Sequence, residues 1–410
     1  MNKGMILNIP RRFVESEWGG TETVIAETSK NLISLGYQAE VVTTQALSNE
    51  SQDTICNIPV KRFPYSYTRL GLNKKKKLLL DKRGGNMYSI KMLIHVLFAQ
   101  NIKVLHLHTM GRLGAVIQKV AKLRNIPYVV SIHGGLFDLP KKQLEELTAP
   151  TKNSFNWGKP FDLIFNSTHL IKNAAAVICV GEKERTKVAF QYPDKKVFFL
   201  PNGVDIDKFS QGNRARFIRS TPLEHTDRIV LCVSGFYSQK NQLTLISAFA
   251  QCSESIDDLK LVLVGVIYDS DYFVQIKELI QTLEIEDRVI ILSNLKFDNP
   301  MLADAYSAAE LFVLPSHYET FGVVILEAWA SGTPTICGNV GGLPSFVKDG
   351  ENGIFFDTRS ADDLSVKMQK ALSPPHFCKD IQKGARQSVQ QYSWSKITKN
   401  LARIYEEVSN

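Results

Sequence analysis

The sequence predicts an α/β protein built from two doubly wound units with parallel sheets, facing one another across a cleft. Three observations lead there. Short apolar runs alternate with amphipathic segments along the whole chain, the pattern of strands covered by helices. At 410 residues the chain exceeds what one core usually serves and suits two domains of about 200 residues. Near its middle lies a turn-rich stretch, Pro201-Asn202-Gly203-Val204-Asp205.

In the first half, strands are predicted over Met5–Ile9, Gln38–Thr43, Lys103–His108, Tyr128–His133, Ala176–Val180 and Val197–Leu200. Helices such as Thr21–Leu35 and Leu113–Arg124 lie between them, the former closed by Gly36. In the second half, strands fit Ile229–Ser234, Leu259–Val264, Val289–Leu292, Leu311–Leu314, Thr335–Cys337 and Gly353–Phe356. Helices fit Gln242–Cys252, Tyr272–Leu283, Pro300–Ser307, Gly322–Ala330 and Ala361–Leu372. The tail is amphipathic, with Ile397, Leu401, Ile404 and Tyr405 on one helical face. In open sheets of this kind ligands bind beyond the carboxyl ends of the strands.

Composition sets outer limits. Apolar residues make up 44% and charged residues 22%, ordinary values for a globular chain. No apolar run approaches the roughly 20 residues of a membrane-spanning helix. The first ten residues are too short for a signal-peptide core and read as a strand. Six cysteines (56, 179, 232, 252, 337 and 378) show no paired spacing, so a reducing, cytoplasmic setting without disulfides is expected.

The net charge of +8 is unevenly spread. Residues 1–205 hold 29 Lys/Arg against 16 Asp/Glu, a balance of +13, and the remainder carries −5. A basic half suggests an anionic partner. The densest cluster runs from Lys61 to Arg83 and mixes lysines with Tyr65, Tyr67 and Leu78-Leu79-Leu80. Such a segment can snorkel at an anionic membrane surface, or simply form a solvated basic loop. No recognised motif for nucleic acid accompanies it, and nucleic acid is not expected as a partner.

The most informative stretch is Pro315-Ser-His-Tyr-Glu319-Thr320-Phe321-Gly322-Val323-Val324-Ile-Leu-Glu327-Ala328. It follows a predicted buried strand and opens a predicted helix. The first free amides of that helix, at Gly322, Val323 and Val324, would attract phosphate, because unpaired N–H groups and the helix dipole both favour an anion. Glu327 lies about a turn and a half into the helix, within reach of ribose hydroxyls. Glu319 stays in the loop, near a group attached to the phosphate. Two glutamates at this spacing are commonly just solvated residues; the strand, the turn and the phosphate-binding helix end argue for a nucleotide-sugar site.

Other candidates are weaker in isolation. Gly19 and Gly20 precede a helix, where backbone can approach a ligand, or where the chain simply turns. His133 ends an apolar strand at the ligand edge, a position more often structural. His106 and His108 share one face of their strand, but no third ligand is evident and no metal is expected. Glu182 reads as a helix-end residue.

The Glu319–Glu327 stretch resembles the C-terminal signature of the family-4 retaining glycosyltransferases, whose GT-B fold pairs two Rossmann-like domains. The resemblance extends over most of the chain. It implies an acceptor-side domain over 1–200, a linker over 201–209, a nucleotide-sugar domain over 210–378, and helices over 379–410 crossing back to the first domain. It implies catalytic roles for Glu319, Lys240 and His133. Donor contacts would come from Gly19, Gly20, Asn202, Thr320, Phe321, Gly322, Val323, Val324 and Glu327. Two positions depart from the pattern: Gly235 replaces an arginine that helps hold the diphosphate, and Ser345 replaces a glutamate. Arg11 and Arg12 are candidate substitutes for the missing cation.

The resemblance further implies front-face transfer with retention, no cofactor and no metal, and domain closure hinged near Asn202-Gly203. The expected setting is bacterial surface-polysaccharide assembly on a glycan or lipid-linked acceptor at the inner face of the membrane. A non-catalytic partner subunit, a nucleotide-sugar epimerase and a DNA-modifying sugar transferase are the competing readings.

Overall fold

The computed structural model describes residues 3–134, 151, 154–293, 295, 299–373 and 376–409. Its chain divides into two units, Met1–Pro201 together with Trp394–Asn410, and Asn202–Ser393. The predicted two-unit α/β architecture is present, each unit built on its own sheet.

The sheet of the first unit contains β1 (Met5–Ile9), β2 (Gln38–Thr44), β3 (Gln52–Ile55), β4 (Ile58–Phe63), β5 (Ile102–Leu107), β6 (Tyr128–Ile132), β7 (Ala176–Cys179) and β8 (Val197–Phe199). Their order is 8-7-6-5-1-2-4-3. All pairings are parallel except β3 with β4, an antiparallel hairpin turned at Cys56-Asn57, where both residues have positive φ. The expected strands omit this hairpin: Gln52-Asp53-Thr54 is polar and gives no apolar run. Connecting helices include α1 (Gly20–Ser34), α2 (Lys74–Arg83), α3 (Ile90–Phe98), α4 (Gly111–Arg124) and α5 (Glu182–Gln191). Chain order reverses between β1 and β5, so the topological switch point lies past Ile9 and Leu107.

The second sheet contains β9 (Arg228–Val233), β10 (Leu259–Gly265), β11 (Val289–Ser293), β12 (Leu311–Leu314), β13 (Thr335–Gly338) and β14 (Ile354–Phe356), all parallel, in the order 11-10-9-12-13-14. Its helices include α6 (Gln242–Ser253), α7 (Ser270–Thr282), α8 (Met301–Ala308), α9 (Val323–Ser331), α10 (Ala361–Leu372) and α11 (His376–Val389). Here the switch point falls between β9 and β12. Alternate residues of β9 feed two separate cores: Ile229, Leu231 and Val233 enter one, Val230 and Cys232 the other. A strand covered on both faces reads as a continuous apolar run, which is why Leu311–Leu314, fully buried, was legible in the sequence. Helix starts are fixed by side-chain caps: Ser89, Asp269 and Ser360 accept from Met92, Tyr272 and Asp363 amides.

The last helix, α12 (Trp394–Ser409), completes the core of the first unit. Trp394, Ile397, Leu401, Ile404 and Tyr405 pack with Ile6, Val104, Val129 and Ile178 of the sheet. The Tyr405 hydroxyl lies 2.6 Å from His106 Nδ1, and Lys103 Nζ lies 2.6 Å from Glu406 Oε2. The expected crossing over 379–410 is narrower in fact. Ala385 and Val389 of α11 pack in the second unit's core, so the return begins at Trp394.

The basic cluster also needs correction. Arg62 is buried, donating to Phe13 O at 2.9 Å and to Asp53 at 3.1 Å. Lys61 pairs with Glu40 at 3.0 Å, and Lys82 with Glu17 at 2.5 Å. Outward charge is therefore concentrated in the first turn of α2, where Lys74, Lys75 and Lys77 are exposed.

Leu401→Ala is expected to destabilise the first unit by about 2–5 kcal/mol, because it opens a cavity under α12. Lys399→Ala, on the solvent face of the same helix, should change stability by less than about 0.5 kcal/mol. Urea denaturation of the full chain measures both.

Candidate active site

The switch point of the second sheet gathers the strongest candidates. The loop after β12 runs from Pro315 to Phe321, and Gly322 caps α9 with φ +78. A side chain there would be strained by that φ, and its Cβ would meet Leu343 at 2.7 Å. The amides of Gly322, Val323 and Val324 open the helix and have no acceptor within it, which makes an anion site. The loop rests on Gly341 and Gly342, where a Cβ would fall 1.8 Å from Glu319 O and 2.0 Å from Thr320 O. Gly342 N donates to Glu319 O at 2.9 Å. Sequence reasoning missed this pair; two adjacent glycines after a predicted strand were the available signal.

Glu319 is buried. Its Oε1 accepts from Lys240 Nζ at 2.5 Å and from Ser316 Oγ at 2.7 Å. Lys240 ends a 3-10 turn that follows β9, with its Nζ 5.7 Å from the Tyr237 ring centroid. Burial alone would lower the Lys240 pKa; the Glu319 carboxylate and Tyr237 outweigh it, so the pKa is raised and the ammonium stays charged. Backbone contacts reinforce the link between the loops. His317 N donates to Gln239 O, and Gln239 Nε2 to Tyr318 O, both at 2.9 Å. Asn241, in the left-handed region at φ 56, donates to Pro315 O at 3.1 Å and Thr358 O at 2.9 Å.

Glu327 projects from α9, and its Oε2 accepts from the Tyr306 hydroxyl of α8 at 2.8 Å. Burial raises its pKa; Tyr306 and Lys208 act against that. Its second oxygen makes no hydrogen bond among the described residues. Thr320 is half-buried. The Phe321 ring stacks on Phe346 at 4.8 Å and is buried, so this residue can offer a ligand only its backbone. Asn202 Oδ1 is buried without a hydrogen-bond partner among the described residues.

The departures from the expected pattern have visible surroundings. A Cβ on Gly235 would meet the Tyr268 ring at 2.7 Å and Tyr237 at 3.2 Å, and these rings contact each other edge to face at 5.9 Å. Two tyrosines thus flank the position where the resemblance places an arginine. Arg11 and Arg12 do not stand free to replace it. Arg11 Nη1 donates to Leu80 O at 3.0 Å and Asp81 O at 2.6 Å, closing the end of α2. Arg12 donates to Glu17 O at 2.8 Å and lies 3.8 Å from Glu22. Ser345 caps a local turn through Gly342 O at 2.6 Å.

In the first unit, Gly19 N donates to Glu22 Oε2 at 3.1 Å and caps α1. Burial raises the Glu22 pKa, with Arg12 opposing. A Cβ on Gly20 would meet nothing within 4 Å, so its front is open within the described chain. Glu182 occupies the first turn of α5 and pairs with Arg185 at 2.6 Å. His133 follows β6 at the switch-point edge, with Nε2 2.9 Å from His108 Nδ1. His106 bonds Tyr405 and Ser131 instead. Burial lowers His133 to about 4 and His106 to about 3, and holds His108 well below its usual value. Among the described residues no group of three or more His, Cys, Asp or Glu side chains is arranged to hold a metal.

Taken together, the second sheet's edge offers amides and an ammonium for a diphosphate, one carboxylate beside them, and a second carboxylate a turn along α9. Two family models match the chain: that for glycosyl transferases group 1 over residues 213–388, and that for glycosyltransferase family 4 over residues 18–208. An uncharacterized glycosyltransferase of Methanocaldococcus jannaschii is 28% identical over 327 residues, covering 76% of this chain and 77% of that protein. The N-acetyl-alpha-D-glucosaminyl L-malate synthase of Bacillus anthracis is 29% identical over 217 residues, 53% of this chain and 55% of that protein; here the match spans about half the relative's length. Among solved structures, Anabaena HepE in complex with UDP and glucose superposes with a TM-score of 0.72 at 18% identity, over 98% of this chain and 100% of that one.

Two outcomes are expected. Gly341→Ala should cost about 1–3 kcal/mol in urea denaturation, since a Cβ drives into the Glu319 carbonyl, whereas Gly20→Ala should be within about 0.5 kcal/mol. Second, stability of the first unit should fall as pH drops from about 6.5 towards 4. The three histidines are neutral when folded and protonate earlier when unfolded, so the unfolded chain binds more protons over that window. Glu22, with its raised pKa, opposes the trend, while His95, Asp162 and Glu406, held below their usual values, add to it. Urea midpoints across the window read the sign.

Proposed function

The chain belongs to the family-4, group 1 glycosyltransferases, and from that premise we propose that it moves a sugar from a nucleoside diphosphate to a hydroxyl acceptor with retention of anomeric configuration. It is a glycosyltransferase of two-domain GT-B type; the donor, stereochemistry and acceptor form the proposal. The observation that carries it is the Lys240–Glu319 pair set at the same sheet edge as the opening amides of α9. An ammonium has three donors, so Lys240 can keep Glu319 and still bind a phosphate oxygen. As the bond from sugar to phosphate breaks, the amides and Lys240 would take the developing charge. Tyr237 and Tyr268 set their rings against Gly235, where the family pattern has an arginine.

In this reading Glu319 orients the sugar, His133 contacts it, and Glu327 offers its unpinned oxygen to the ribose while Tyr306 holds the other. Gly19, Gly20, Thr320, Phe321 and Asn202 would line the donor, Phe321 through backbone alone. The acceptor hydroxyl would attack from the face the diphosphate leaves and pass its proton to the departing phosphate oxygen, with an oxocarbenium-like sugar between them. No metal or cofactor enters this scheme.

The acceptor we favour is a lipid-linked glycan of bacterial surface-polysaccharide synthesis, met at the cytoplasmic face of the membrane. Lys74, Lys75 and Lys77, with Leu78 48% exposed beside them, supply a basic patch with an apolar edge. Among the described residues no helix is long and apolar enough to cross a membrane. A second reading, a non-catalytic partner subunit, draws on Gly235; transfer or donor hydrolysis by purified protein would dismiss it.

Thermal shifts with UDP-, GDP- and ADP-sugars should show one base that stabilises the protein in a concentration-dependent way. With that donor, Lys240→Ala and Glu327→Ala should each lower kcat/KM by about 10²–10³-fold; near wild-type turnover in both rejects the assignment. Flotation with anionic liposomes should be lost when Lys74, Lys75 and Lys77 are changed together to Gln.

A further inference from the structure

We propose that Asn8 and His108 are positioning residues that hold the proton of His133 on Nε2, so that its Nδ1 accepts a hydrogen bond from a hydroxyl of the transferred sugar. The inference rests on the donor reading above for its ligand, but the relay itself stands on geometry in the first unit.

The chain of bonds starts on α1. Asn8, 1% exposed on β1, donates from Nδ2 to Ser29 Oγ at 3.1 Å. Its Oδ1 faces His108, whose Nε2 lies 3.0 Å away. An amide oxygen only accepts, so His108 Nε2 must carry hydrogen. His108 is buried and neutral, which leaves its Nδ1 as a bare lone pair. That lone pair lies 2.9 Å from His133 Nε2, so His133 must be the donor. The ring planes differ by 17° with centroids 5.2 Å apart, an end-to-end arrangement that suits an N–H···N bond. His133 is neutral too, and its proton is committed to Nε2.

The remaining nitrogen, Nδ1, has no hydrogen-bond partner among the described residues. His133 is half-buried, just past β6 at the sheet's carboxyl edge. Its neighbour His106 takes no part: it is occupied by Tyr405 and Ser131, though its ring packs against His108 at 3.9 Å. An acceptor nitrogen suits this chemistry. The sugar gains positive charge as the diphosphate leaves, and a lone pair facing it is favourable where an N–H or an imidazolium would repel. Asn8, Ser29 and His108 were not singled out in the sequence beyond the i, i+2 histidine pair. They meet only because β1, β5 and β6 are neighbours in the sheet.

The test is long-range ¹H–¹⁵N correlation of the full chain labelled with ¹⁵N-histidine, at pH 7.5. His108 and His133 should each be neutral, protonated on Nε2, with a bare Nδ1. A His133 that carries its proton on Nδ1, or on both nitrogens, overturns the proposal. In Asn8→Ala, His108 loses its fixed acceptor, so the His133 signals should move towards a tautomer average and kcat/KM should fall about 2–10-fold. An unchanged His133 tautomer in that variant also overturns it. Should Asn8→Ala fail to fold, Ser29→Ala releases the Asn8 amide and is read the same way. Titration with UDP-glucose, GDP-mannose and ADP-glucose then addresses the ligand: a shift of His133 Nδ1 supports the sugar contact. The expected tautomer with no response to any of the three leaves the relay standing and overturns the donor reading.

Discussion

The ion pair between Lys240 and Glu319 joins the two loops that leave the second sheet at its switch point. Each partner is largely withdrawn from water, and each is tolerable there because of the other. Removing one would strand a buried charge, which costs far more than the pair contributes to stability. The pair is therefore poor evidence for a stabilising device, and we read it as part of the proposed donor site. Around it the backbone is fixed by Asn241, Gln239 and the Gly341–Gly342 shelf, so the opening of α9 is held before any ligand arrives. A site that must stabilise charge without reorganising needs that rigidity.

The first unit solves a related problem with neutral groups. Its switch point holds histidines whose desolvation keeps them uncharged, linked through Asn8 to the helix that Gly19 caps. The cationic residues nearby in sequence are spent on structure: Arg11 closes α2, Arg12 binds Glu17 and Glu22, and Arg62 is buried against Phe13. The excess positive charge of the first half is thus only partly available at the surface. Lys74, Lys75 and Lys77 of α2 stay outward, as do Lys30, Lys91, Lys122 and Lys172 elsewhere on the first unit.

Much of the fold could be read from the chain. Runs such as Leu311–Leu314 and Ile229–Val233 are apolar because both faces of their strands are covered, and the tail helix announced its buried face through Ile397, Leu401 and Ile404. The β3–β4 hairpin escaped because an edge strand need not be apolar, and the α2 region read as a loop because its lysines carry no period. Glu319, Lys240 and Glu327 were legible through resemblance. Their partners Ser316, Tyr237 and Tyr306 were not, since a hydrogen-bonding residue in a neighbouring element carries no local mark.

By itself the sequence determined two mainly parallel α/β sheets, most of their strands, and a helix start with free amides at Gly322. Those follow from periodicity and from backbone freedom at single residues, which are local properties. Only the tertiary structure decided which cations are engaged in contacts, that Phe321 faces the core, and that His133 meets His108. These depend on what stands opposite each group in space, and desolvation and hydrogen bonding act across sheets and helices far apart along the chain.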